Sequence, residues 1–285
     1  MIIDSHTHTH YSKHATGSVD ELVDAAMRRN VAVLTITDHA PFHVDTNNRL
    51  LEAELDSYFQ DIDRARRRCG GSMKVLAGLE CDYMQDSEPY LQRLLNNVEL
   101  DFVIGSIHYV PVDGELVKVW DLPRLQDTAV LDGYFDALRG LLSCGLFDAV
   151  GHADTLLRGV PEAVLLDRLE AMVPLFSDGR ISYELNASGA RKSVYDTHLR
   201  HERTGVISYP SRAIIPAMSR AGATFTIGSD AHAPADVGEG VIALLQELVP
   251  LGVQTISYYE KRVRVDLPTV GMLVAPKPEC GGYPA

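Results

Sequence analysis

The chain has 285 residues, 46% hydrophobic and 23% charged, an ordinary globular composition that excludes a largely disordered polymer. Its 26 Lys+Arg against 39 Asp+Glu give a net charge of −13, which argues against a chain-wide nucleic-acid or anionic-membrane surface. An anionic substrate is not excluded, because bound metal cations reverse a local field without entering the count.

In chain order, residues 1–4 form a short apolar start. Ser18 and Glu21 then make a capping box, with Val19, Leu22, Val23, Ala26 and Met27 as the apolar stripe of a helix. The β-branched run 31–37 reads as a strand buried on both faces. Leu51, Leu55, Tyr58, Phe59, Ile62 and Ala65 mark a helix that Gly70-Gly71 ends. Strands follow at 73–79, 101–106, 147–150, 181–185 and 223–227. Helices fall near 90–95, 130–142, 163–176, 212–220 and 241–249, and 253–257 is a candidate last strand. This βα alternation, repeated seven or eight times with no polar linker, predicts one domain with a closed parallel barrel. The stretch 269–285 is expected to be an irregular tail after a domain spanning 1–268, since Pro and Gly crowd its end.

Cys69, Cys81, Cys144 and Cys280 are widely spaced and form no CxxC pair, which fits a reduced compartment. The start MIIDSHTHTHY has neither a basic nor an apolar leader region, and no apolar run reaches the ~18 residues of a membrane span. A cytoplasmic protein without membrane partners is expected.

Histidine is the unusual residue. Of 11, four (His6, His8, His10 and His14) fall within nine residues, interleaved with Thr, Tyr, Ser and Lys rather than run together as in an affinity tag. Each predicted strand, moreover, leads into a chemistry-bearing residue. His6 and His8 follow the first, Thr37-Asp38-His39 the second, Glu80 the third, His108 the fourth, His152 the fifth, Asn186 the sixth and Ser229-Asp230-Ala231-His232 the seventh. In a parallel barrel these carboxyl ends share one face. Any one of these histidines alone would be an ordinary core or surface residue, whereas imidazoles converging with a few carboxylates make a transition-metal site. His6 and His8 lie two apart, so in extended backbone both point the same way.

The set HTH with His14, TDH at 37–39, Glu80, IH at 107–108, GH at 151–152 and SDAH at 229–232 resembles the polymerase and histidinol phosphatase (PHP) superfamily. GLECDY at 78–83, GHADTLLR, ELNASGARK and YPS at 209–211 look like its monofunctional histidinol-phosphatase branch. The resemblance implies a distorted (β/α)7 TIM-like barrel with three divalent transition-metal ions (zinc, iron or manganese). His6, His8, Glu80 and Asp230 would hold one metal. Glu80, His108 and His152 would hold the second, and His14, His39 and His232 the third. His10 is skipped by that pattern, although strand periodicity alone would make it a candidate. The implied reaction is hydrolysis of L-histidinol phosphate to L-histidinol and phosphate, a late step of histidine biosynthesis, by a metal-bridging hydroxide.

Three divalent cations against Glu80, Asp230 and one hydroxide leave about +3 at the mouth, which favours a small phosphorylated substrate despite the acidic chain. Asp230 or His232 is the candidate catalytic group for the leaving alkoxide. Arg158 and Arg191, shortly after predicted strand ends, are candidate phosphate ligands, since guanidinium matches phosphate oxygens. Phe42, His43, Asp82 and Tyr109 are candidates for reading the amine and imidazole of the leaving group. Asp4, Asp38 and Ser229 are expected to orient ligand histidines, and His198 and His201 to be an exposed pair. Competing readings are a PHP-type phosphoesterase for other phosphate esters or nucleotides, an amidohydrolase, or a non-enzymatic metal-binding protein. The amidohydrolase would want a bridging lysine where Glu80 stands. A mere metal binder has no need of the two arginines.

Overall fold

A computed structural model describes residues 1–273. Seven parallel strands form the central sheet: β1 (Ile2–Asp4), β2 (Val31–Ile36), β3 (Lys74–Asp82), β4 (Phe102–Ser106), β7 (Ala149–Val150), β8 (Ser182–Asn186) and β11 (Phe225–Gly228), hydrogen-bonded in that order. Past the end of this list, Ser5 N–H donates to Ile227 O (2.9 Å) and Asp230 N–H to His6 O (2.8 Å). These bonds draw β1 against β11 and bring the sheet round into a barrel. Gly228 makes that seam possible, because a Cβ there would collide with the Cβ of His6.

Helices α1 (Val19–Arg28), α2 (Leu55–Cys69), α3 (Glu88–Asn96), α4 (Thr128–Cys144), α5 (Glu162–Met172), α6 (Ile215–Arg220) and α7 (Val241–Leu248) return the chain between strands. The Ser18–Glu21 capping box forms as predicted, and Gly70 ends α2 in the left-handed conformation its φ of 55° requires. Of the predicted apolar stripes, Val19, Leu22, Val23, Ala26, Tyr58, Ile62 and Ala65 are buried in the core, whereas Met27 and Leu51 are exposed.

Several expectations change. The strand predicted at 73–79 runs on to Asp82, so Glu80 lies inside β3 rather than after it. The candidate last strand does not join the barrel: β12 (Thr255–Glu260) pairs antiparallel with β13 (Val263–Pro268) as a separate hairpin. Two other hairpins escaped the reading, β5–β6 (Tyr109–Val112, Glu115–Lys118) and β9–β10 (Val194–Asp196, His201–Arg203). Within the expected tail, Thr269–Leu273 form a short helix, α8, and the rest of it lies outside the described residues. Among the described residues no helix is long and apolar enough to cross a membrane.

Candidate metal centre

The carboxyl ends of the seven strands converge as predicted, and the histidines crowd into contact. His6 Nε2 lies 3.0 Å from His8 Nε2 and 3.3 Å from Glu80 Oε2. Asp230 Oδ1 is 3.9 Å from His6 Nε2 and 3.4 Å from His8 Nε2. The other Glu80 oxygen, Oε1, meets His152 Nε2 at 3.0 Å and His108 Nε2 at 3.5 Å. His232 Nε2 is 3.1 Å from His14 Nε2, and the His14 ring sits 5.2 Å from that of His39. His39 also reaches the centre of the cluster, with Nδ1 3.0 Å from Glu80 Oε2. His6, His8 and Glu80 form one group of potential donors, His39, Glu80 and His108 a second, and His8, His39 and His232 a third; within each the atoms lie within 4.8 Å of one another. Glu80 thus stands between the imidazoles with both oxygens engaged.

Local structure aims these rings. His6 Nδ1 bonds Glu184 Oε1 at 2.6 Å, and His108 Nδ1 bonds Asp82 Oδ1 at 2.8 Å. His232 Nδ1 faces the Asp230 carbonyl at 3.0 Å. His8 Nδ1 faces Ser12 Oγ at 3.2 Å, and Ser12 spends its own proton on Asp38 Oδ1 at 2.6 Å, so the Ser12 oxygen accepts from His8. In all four rings the proton belongs on Nδ1, which leaves the Nε2 lone pair turned into the cluster. Facing Nε2 atoms 3.0 Å apart, as in His6 and His8, need a proton or a metal cation between them. The buried His152 Nδ1 has no hydrogen-bond partner, and the buried His39 Nδ1 faces Glu80 Oε2. The donor set therefore fits transition-metal ions.

The surrounding charges act on each of these groups differently. Burial lowers the His6 pKa, but Glu184, Glu80 and Asp230 outweigh it and hold His6 well above the usual range. His8 goes the other way, pushed well down by burial and by His232 and His39. Burial would raise Glu80 and Asp230, yet both lie well below the carboxylate range, Glu80 through His6, His39 and His108 and Asp230 through Lys192 and His6. Burial takes His232 down to about 4. His152 and Asp230 also hold positive φ, 27° and 52°, uncommon for side-chain-bearing residues.

The surrounding cavity has a volume of 390 Å³ and is lined on one side by His14, His39, Glu80, His108, His152, Asp230 and His232. Arg158 lines it, its Nε donating to Ser193 O at 2.8 Å. Arg191 does not. Its guanidinium is spent on the carbonyls of Ser229 (2.5 Å) and Glu239 (3.2 Å), and the next residue, Lys192, faces the cavity instead. Tyr109 is in the wall, donating to Asp45 Oδ2 at 2.6 Å. Asp82 lies behind His108, paired with Arg49 at 2.5 Å. Phe42 is buried against Met84 and Tyr109, and His43 is exposed; neither lines the cavity. Asp4 grips Ser229 N–H and Oγ (2.8 and 2.6 Å) and Gly238 N–H (2.7 Å), so these two hold the Asp230 loop rather than an imidazole. His10 is exposed and bonded to Gly17 O, while His198 and His201 sit at the exposed β9–β10 hairpin. A larger groove of 820 Å³ along α2 and α3 has no histidine in its lining.

Sequence reasoning missed Glu184, Arg49, Asp45, Trp120 and Lys192. Glu184 had a signal: it lies two residues before Asn186 on β8, and alternation puts both on one face.

Barrel and cluster together define a class. A family model described as the PHP domain matches residues 4–188, and the chain belongs to that family. A Deinococcus radiodurans protein named "Probable histidinol-phosphatase" is 28% identical over 270 residues, covering 92% of this chain and 98% of that one. The histidinol-phosphatase of Bacillus subtilis is 22% identical over 272 residues, covering 85% and 98%. Among solved structures, histidinol phosphate phosphatase from Lactococcus lactis, complexed with zinc, L-histidinol and phosphate, superposes with a TM-score of 0.76 at 18% identity, covering 93% of this chain and 98% of that one. That likeness establishes the fold.

Proposed function

We propose that this chain hydrolyses L-histidinol phosphate to L-histidinol and inorganic phosphate with three divalent transition-metal ions. The observation that carries this reading is the convergence of seven histidines, Glu80 and Asp230 at one barrel mouth, with His6, His8, His108 and His232 held from behind so that their Nε2 lone pairs face inward. The histidinol-phosphatase relatives, matched over most of both chains, favour this substrate.

We assign His6, His8, Glu80 and Asp230 to one ion, Glu80, His108 and His152 to another, and His14, His39 and His232 to the third. Bound there, such ions lower the pKa of water and polarise phosphoryl oxygens. The chain's own residues supply the rest. Arg158, braced on Ser193, offers a planar cation to the phosphate. Asp230 and His232 line the cavity, and one or the other assists proton transfer to the leaving alkoxide. At 390 Å³ the cavity suits a small ester rather than a polymer. Its far wall, with Tyr109, Trp120 and Asp45, offers aromatic faces and a carboxylate to a cationic heteroaromatic alcohol.

The test is phosphate release from histidinol phosphate alongside metal content. Stripping the metal, or Glu80→Ala, abolishes both metal retention and turnover on this reading. Full activity in a preparation with fewer than about two metals per chain contradicts the three-ion site.

A further inference from the structure

Lys192 is a cation that the metal assignment leaves unused, and it sits where one is wanted. Its side chain is 32% exposed, into the cavity that His152, Arg158, Asp230 and His232 also line. Asn186 caps the turn Ala187–Ala190, accepting from Ser188 N–H at 2.9 Å, and Arg191 N–H and Lys192 N–H both close onto Ser188 O (2.8 and 3.0 Å). Leaving this turn, the two neighbouring cations diverge. Arg191 goes to the backbone of Ser229 and Glu239, while Lys192 Nζ donates to Asp230 Oδ2.

Asp230 is thereby divided. Its Oδ1 faces the imidazoles of His6 and His8, and its Oδ2 accepts from Lys192 and from Ser188 Oγ (2.9 Å). Lys192 can therefore keep its partner without competing for the oxygen turned toward the cluster. An ammonium has three donors, and one is engaged here, so the remaining two are available on the cavity side. A phosphoryl group lying against the cluster would meet Arg158 and Lys192 together.

We propose that Lys192 is the second phosphate-gripping cation of this site, and that Arg191 is a positioning residue that ties down the loop carrying Asp230. This rests on the phosphatase reading above. In the metal-loaded protein, Lys192→Met should weaken inorganic phosphate binding, read by calorimetry, on the order of tenfold or more. It should raise KM for histidinol phosphate in parallel, compared at matched metal content, with binding partly restored in Lys192→Arg. Arg191→Met should lower metal content and thermal stability, while phosphate binding by the metal-loaded fraction stays as in the parent. The proposal is overturned if Lys192→Met binds phosphate as the parent does, or if Arg191→Met weakens phosphate binding at full metal content. Because phosphate binding is read directly, a parent protein that binds phosphate but does not turn over histidinol phosphate would refute the substrate and leave this assignment standing.

Discussion

Glu184 offers the sharpest test of how the metal centre is held, because its two oxygens do different work. Oε1 accepts from His6 Nδ1 at 2.6 Å, while Oε2 accepts from His152 N–H at 2.7 Å and from Asn186 Nδ2 at 3.1 Å. Glu184→Gln preserves the shape and leaves no satisfactory orientation. With the new NH2 toward His6, the proton there must move to Nε2, the atom that faces His8, Glu80 and Asp230. With the amide flipped, NH2 opposes two donors, His152 N–H and the Asn186 amide. Asn186 is fixed because its own oxygen accepts from Ser188 N–H and Oγ. Loss of a hydrogen bond to a charged, 2%-exposed group costs about 1.5–3 kcal/mol. That agrees with the ~10–100-fold loss of metal affinity found when such supporting groups are changed. Chelator-competition titration reads the affinity, and thermal unfolding checks that the variant folds. Metal affinity within about twofold of the parent in a folded variant would refute the orienting role.

Two further outcomes follow from buried polar groups. Arg49 and Asp82 are 3% and 2% exposed and paired at 2.5 Å, so Arg49→Met leaves the buried carboxylate with His108 but without its cation and should cost about 3 kcal/mol in urea unfolding. A loss below about 1 kcal/mol would show that the pair carries no such weight. Burial raises the Tyr259 phenol from 10.0 to about 12. The unfolded chain releases that proton first, so stability is full below pH 10.0 and falls as pH rises to about 12, by ~1.4 kcal/mol per unit. Tyr259→Phe should flatten the alkaline loss of stability by about one proton, and an unchanged slope would contradict this.

The barrel and most of its centre are legible in the sequence because both rest on local rules. Apolar stripes at helical spacing locate α1, α2 and α4, and short β-branched runs locate the strands, so the residues after them fall at one mouth. What is illegible depends on turns. Arg191 and Lys192 are adjacent cations, and chemistry alone prefers the guanidinium for phosphate; only the turn at 187–190 decides which side chain enters the cavity. Arg49 and Asp45 arrive from a loop with no periodic signal, and Trp120 follows the short β5–β6 hairpin. Phe42 and His43 sit in sequence beside a metal motif, but the chain turns them into the wall's backing and outward to solvent.

The most direct test of the central claim compares kcat/KM of the metal-loaded protein for histidinol phosphate, a nucleotide and a generic aryl phosphate. A cavity whose polar groups match one alcohol rejects others by a wide margin, so histidinol phosphate should be preferred by at least about a hundredfold. Comparable kcat/KM on all three would contradict the assignment, leaving a phosphoesterase without that specificity.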